Sequence, residues 1–335
     1  MTEHHERVPQ AGTTDAGDTV TTIDAPTGAD PKFTSTRPGD LNAWWDGIDE
    51  DLAARPANPE YEVAPLQSNE HATVYRPRMT SIDNYVIAAW FSVPHGDGPF
   101  PALFTTPGYA SVVTPAHYDL RQRYVTMTVM TRGQRGADKP YAAAFPGHLT
   151  NGITDPEEWV FRGVMADILR AWEVLRDHAA VDTRRIGITG TDAGLLLNAR
   201  RPGAKAVQVT STFWYRLGEL ASETEAYPYE EISDWVRTYP DDRDAVGRSL
   251  GYVDPQFQAG KVTAAVHLNR DRESRFLDDA WLAPLVKDIG SELAYYDVTH
   301  EGQTDHDAND AWMSDQLGVD PAPRSWQPEE IGPWR

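Results

Sequence analysis

Arg185-Ile186-Gly187-Ile188-Thr189 runs directly into Gly190-Thr191-Asp192-Ala193-Gly194 and then into Leu195-Leu196-Leu197. The first run suits a short buried strand, and the three leucines open a helix. Between them lies a Gly-x-X-x-Gly turn. Small residues on both sides of a central one are what a sharp strand-to-helix turn demands, because the backbone there passes close to its neighbours. This is the frame of a nucleophile elbow, which lifts one side chain above the end of a sheet. In esterases and lipases that residue is Ser; here it is Asp192.

Outward from the elbow, residues 72–78 and 85–93 read as two early strands. Residues 101–105 form a short buried strand, closed by the turn Pro107-Gly108-Tyr109, and 124–130 form another apolar run. Residues 157–176 carry Val160, Val164, Ile168, Ala171 and Leu175 at helical spacing. Residues 40–49 predict an amphipathic helix with Asp40 as its N-cap. Beyond the elbow, 204–210, 263–268 and 292–298 read as strands, and 276–289 and 306–317 as helices. Residues 215–257 read as an irregular, helical, aromatic-rich insertion near the site. Strands alternating with helices predict an α/β protein with a mainly parallel central sheet and helices on both faces, the α/β-hydrolase fold. Ligands in such sheets sit at the carboxyl ends of the strands.

The chain has 335 residues, enough for a large core in one domain. The expected division is a disordered tail over residues 1–30, rich in Thr, Asp, Gly and Ala, and a single domain over 31–335. No apolar run is long enough to span a bilayer. The tail has neither the apolar segment of a secretory signal nor an Arg-rich transit pattern, so a cytoplasmic location is expected. Cysteine is absent, which excludes disulfides, thiolate metal sites and a Cys nucleophile. The net charge of −21 disfavours nucleic acid and anionic membrane as partners; the partner expected, on the chemistry of the elbow rather than on charge, is a small-molecule substrate. Lysine is confined to Lys32, Lys139, Lys205, Lys261 and Lys287, while Arg and Asp are common, as in proteins of salty cytoplasm or GC-rich genomes.

Two more residues follow their strands closely. Asp271 lies just after 263–268, and His300 just after 292–298. With Asp192 they keep the chain order of a hydrolase triad: elbow residue, acid, His. His serves as a base near neutral pH, and a carboxylate on its other nitrogen fixes the tautomer. The plainer alternative makes Asp271 a helix cap and His300 a loop residue. His306 is a nearby competitor at the start of a helix. His300, Glu301, His306 and Asp307 match no metal-ligand spacing; neither a metal nor a cofactor is expected.

Several further stretches carry a family resemblance. They are Pro38-Gly39-Asp40-Leu41-Asn42-Ala43-Trp44-Trp45, Thr106-Pro107-Gly108-Tyr109, Thr131-Arg132-Gly133-Gln134-Arg135-Gly136, Phe161-Arg162-Gly163-Val164-Met165-Ala166-Asp167, Val181-Asp182-Thr183-Arg184-Arg185-Ile186, Tyr229-Glu230-Glu231 and His300-Glu301-Gly302. Together they resemble the acetyl xylan esterase and cephalosporin C deacetylase group of α/β-hydrolases, over about residues 37–317. The resemblance implies an oxyanion hole made by the backbone N–H groups of Tyr109 and Ala193, and a homo-oligomer. The chain departs from that group at the elbow Ser, at the His of its oxyanion loop (Pro107 here), and after Asp271, where Arg272-Glu273-Ser274 follow.

A carboxylate attacking an acetyl ester makes a mixed anhydride, whereas one attacking an sp³ carbon makes a stable alkyl ester that activated water can hydrolyse. The expectation is therefore a hydrolase with an Asp192-His300-Asp271 triad, acting on a small epoxide-, halide- or lactone-type substrate. Aromatic residues such as Trp214 and Tyr215 are candidates for holding it, with Tyr109, Tyr227, Tyr229 and Trp235 as other possible helpers. Asp192 could also orient water as a base. Two other classes stay open: a lyase or isomerase in which Asp192 and His300 shuttle protons, and a catalytically silent member that binds or assembles.

Overall fold

The computed structural model describes residues 32–109, 112–137 and 145–322; the expected tail over residues 1–30 lies outside them. Among the described residues nine strands form one sheet: β1 (Glu60–Val63), β2 (Ala72–Thr80), β3 (Val86–Pro94), β4 (Phe100–Thr105), β5 (Val125–Met130), β6 (Val181–Thr191), β7 (Ala206–Ser211), β8 (Ala265–Arg270) and β9 (Leu293–Asp297). Their order is β1-β2-β3-β5-β4-β6-β7-β8-β9. The β1-β2, β2-β3 and β3-β5 pairs are antiparallel, and every pair from β5-β4 to β8-β9 is parallel. This mainly parallel sheet, layered with helices, is the α/β-hydrolase fold.

The helices are α1 (Leu41–Ala53), α2 (Tyr118–Arg123), α3 (Val160–Arg176), α4 (Ala193–Arg200), α5 (Leu217–Glu223), α6 (Glu230–Thr238), α7 (Arg243–Tyr252), α8 (Asp279–Val286) and α9 (Gly302–Leu317). Strand alternation separates two apolar layers. Ala102 and Phe104 of β4 and Ile186 and Ile188 of β6 join a large core with α1, α3 and α4. Leu103 of β4 faces the other way, into a smaller cluster with Met313 and Leu317 of α9.

Several elements differ from the sequence expectation for local reasons. β1 was not expected: all four of its residues are exposed, so no alternation marks it, and only pairing with β2 makes it a strand. α3 begins at Val160 rather than 157, because Asp155 folds the preceding residues into a turn that accepts from Glu157 N at 2.9 Å and Trp159 N at 2.8 Å. α8 is shorter than 276–289; the Asp278 carboxylate accepts from Trp281 N at 2.8 Å and starts it late. α9 starts four residues early, at Gly302, which puts His306 inside the helix. Asp40 precedes α1 but makes no side-chain cap bond. Its carboxylate instead accepts from Tyr252 Oη at 2.5 Å and Arg248 Nη2 at 2.8 Å, tying the start of α1 to α7.

Candidate active site

The elbow forms at the carboxyl end of β6. Gly190 has φ +115°, and a Cβ there would lie 2.7 Å from Thr106 Oγ1 and 2.8 Å from Thr106 O, so only glycine fits. Thr106 fastens the turn from the β4 side, accepting from Thr191 N at 2.8 Å and donating from its hydroxyl to Thr189 O. Asp192 follows with φ −62° and ψ −7°, an ordinary helical conformation, and serves as the N-cap residue of α4.

The Asp192 side chain was expected above the sheet; it turns instead into the protein and is 0% exposed. One carboxylate oxygen accepts from Phe213 N at 2.9 Å and Trp214 N at 3.1 Å, the other from Trp214 N at 3.0 Å and Tyr215 N at 2.8 Å. Three consecutive N–H groups beyond β7 thus converge on one carboxylate. Burial pushes the Asp192 carboxyl up to about 6, against the pull of these bonds toward the charged form. Trp214 and Tyr215, expected to hold substrate, are core residues. What they offer Asp192 is their backbone, while the Tyr215 hydroxyl donates to Trp281 O at 2.7 Å.

His300 stands after β9 with φ +60°, an uncommon conformation for a residue with a Cβ. Its Nε2 lies 3.4 Å from Asp271 Oδ2, and its side chain is 59% exposed. Asp271 follows β8 and accepts from Glu273 N at 2.9 Å through its other oxygen. The His300 loop is held by Asp305, whose Oδ1 accepts from Thr299 N at 2.9 Å, Thr299 Oγ1 at 2.8 Å and Tyr296 Oη at 2.7 Å. His306 points elsewhere, with Nε2 3.6 Å from Asp119 Oδ2 on α2. Among the described residues, no hydrogen bond or ion pair joins Asp192 to His300.

Tyr109 lies in the loop after β4, and Ala193 is the first residue of α4. Gln134 positions that loop: its Nε2 donates to Gly108 O at 3.1 Å, and its Oε1 accepts from Thr131 N at 2.9 Å. Arg132 anchors the Gln134 turn through a two-pronged pair with Asp167 of α3, Nε to Oδ2 at 3.0 Å and Nη2 to Oδ1 at 3.0 Å. The Tyr109 ring stacks on Phe213, with centroids 5.8 Å apart, and meets Tyr227 edge-on at 5.8 Å. Its hydroxyl donates to Glu231 Oε1 of α6 at 2.5 Å. Gln134 and Glu231 were quoted in family motifs without a role, and Asp305 carried no signal, since only the folded His300 loop brings Thr299 and Tyr296 to it. Among the described residues no cluster of His, Asp or Glu fits a metal ion, and no helix is long and apolar enough to cross a membrane.

The family model described as acetyl xylan esterase (AXE1) matches residues 30–274, well over half of the chain. Among solved structures, the chain is similar to acetyl xylan esterase 1 from a Thermoanaerobacterium species, at 19% identity over 85% of this chain and 96% of that one, with a TM-score of 0.73. It is also similar to an acetyl xylan esterase from a Paenibacillus species, at 22% identity over 87% of this chain and 97% of that one, with a TM-score of 0.73. At these identities the structural likeness speaks to the fold.

Proposed function

The chain belongs to the acetyl xylan esterase family of hydrolases, and from that premise we propose that it hydrolyses small activated acyl esters with water, without a side-chain nucleophile. The observation that carries this reading is the contrast between two residues. Both oxygens of Asp192 are committed to backbone N–H groups in the interior, while His300 is open to solvent beside Asp271.

Asp271 faces Nε2 of His300, which leaves Nδ1 to take a proton from water. The water oxygen attacks the carbonyl carbon, and the carbonyl electron pair moves onto oxygen. The N–H groups of Tyr109 and Ala193 hold that oxyanion. On collapse the C–O bond to the leaving alkoxide or phenoxide breaks, and the imidazolium returns the proton to it. Asp192 acts as an anchor: its two oxygens accept from the N–H groups of residues 213–215, and so hold the wall of the site. The alkyl-enzyme route to epoxides, halides or lactones needs one Asp192 oxygen free to attack, and the bonding of that carboxylate weighs against it. Proton shuttling between Asp192 and His300 in a lyase or isomerase needs the two groups adjacent, and among the described residues no hydrogen bond or ion pair joins them.

One-step attack by water forgoes a covalent intermediate, so turnover is expected to be slow. Hydrolases that lose a triad member keep roughly 10³–10⁴-fold acceleration from oxyanion stabilisation and binding. Phenyl esters suit this site best, because their leaving group needs little protonation and the ring can stack beside Tyr109 and Phe213. The test is steady-state hydrolysis of p-nitrophenyl acetate by the native protein and by His300→Ala. A slow native rate lost in the variant is expected. A native rate no different from buffer would place the chain with silent, binding members, and a rate untouched by His300→Ala would remove His300 from the chemistry.

A further inference from the structure

Glu231 joins three segments that are far apart in sequence. Its Oε1 accepts from the Tyr109 hydroxyl at 2.5 Å, and its Oε2 accepts from Leu149 N at 2.9 Å. The Tyr227 ring, just before α6, meets the Tyr109 ring edge-on, with centroids 5.8 Å apart. His148 N donates in turn to Tyr109 Oη at 3.1 Å. Glu231 is buried, and its desolvation pushes the carboxyl above the usual range. The fit is tight: a Cβ on Gly147 would lie 2.0 Å from the Glu231 carboxyl carbon.

The far side of the Tyr109 loop is held independently, by Gln134 on Gly108 O. Tyr109 is thus gripped at both ends, its backbone from the β5 side and its hydroxyl from the insertion. A ring stacked on Phe213 and bonded at its tip has little freedom to rotate, and that fixes where its own N–H points. We propose that Glu231 is a positioning residue, which sets the oxyanion loop through the Tyr109 hydroxyl and makes the α6 insertion and that loop move as one unit. The catalytic part rests on the reading that Tyr109 N–H holds the oxyanion; the mechanical coupling does not.

The test is a double-mutant cycle of Tyr109→Phe and Glu231→Gln, read by p-nitrophenyl acetate kinetics and by amide hydrogen exchange of a peptide covering residues 103–109. Each single variant is expected to lower kcat about tenfold, the worth of one hydrogen bond to a carboxyl, with KM within about twofold. The double variant should be no worse than the poorer single, because both act on the same contact, which Tyr109→Phe removes and Glu231→Gln weakens to a neutral acceptor. Exchange in the 103–109 peptide should rise in all three. Gly147→Ala should copy them, since it displaces the carboxyl and removes no hydrogen-bonding group. Independent losses that multiply in the double variant would overturn the proposal, as would unchanged exchange in Tyr109→Phe or a native-like Gly147→Ala. If native turnover is absent, the hydrolytic reading fails while the exchange arm still decides the coupling. If Glu231→Gln does not fold, Tyr109→Phe and Gly147→Ala, which keep the ring and the carboxyl, carry the same comparison.

Discussion

Asp192 stands at the strand-to-helix turn after β6 with its side chain fully bonded to backbone. The Asp192 carboxylate, in helical backbone geometry, is buried and collects three N–H groups from the segment that follows β7. Asp192→Asn puts an NH₂ against those donors, and breaking such a buried set is expected to cost about 2–4 kcal/mol, measured by urea denaturation. A native-like midpoint would show that the anchor is idle. Asp192→Ser should not create esterase activity, because the hydroxyl would share the inward direction of the carboxylate; a gain in p-nitrophenyl acetate turnover would contradict this. His300 is the opposite case. It contributes almost no packing, so His300→Ala should shift stability by less than about 0.5 kcal/mol while turnover is lost. The positions of Asp192, Asp271 and His300 were legible because each follows a recognisable strand. The direction of Asp192 was not, because its partners lie 21 to 23 residues onward in a stretch with no motif of its own.

Elements meet at two buried carboxylates, and these set a pH dependence. Asp254, just before a short turn that follows α7, accepts from Arg216 N at 3.0 Å and from Gln256 N at 3.0 Å, and burial pushes its carboxyl up to about 7. Asp192 is pushed up to about 6 in the same way. A carboxyl whose folded pKa lies above its unfolded value binds its proton more tightly when folded. Its contribution is therefore complete below the ordinary carboxylate range and lost as pH rises through about 6 for Asp192 and about 7 for Asp254. Buried His148 and His267, pushed down to about 4, act in the opposite direction, so the test is a comparison: the Tm of the native protein relative to Asp254→Asn should fall as pH rises from about 4 to 7, and a difference that stays constant or grows across this window would contradict the assignment. The same contacts show why strands and long helices were legible and their edges were not. Alternation and helical spacing marked β3, β6 and α3, whereas β1 exists through its neighbour, and the starts of α3 and α8 are set by Asp155 and Asp278.

At the scale of the molecule, a net charge of −21 makes self-repulsion a standing cost to the compact state. Salt screens it, so Tm is expected to rise between about 0.1 and 1 M NaCl, as the Debye length shrinks from about 10 to 3 Å. A falling Tm would mean that surface ion pairs outweigh the repulsion. The expectation of a homo-oligomer is checked by light scattering at micromolar concentration; a monomer would count against it. The central claim is that water, not Asp192, attacks the substrate. Its most direct test is a single turnover of the native protein with p-nitrophenyl acetate in ¹⁸O-water, followed by mass spectrometry of the acetate and of the peptide carrying Asp192. The account predicts one ¹⁸O in the acetate and none in the peptide. Label in the Asp192 carboxylate would show that it had been the nucleophile, and would contradict the account.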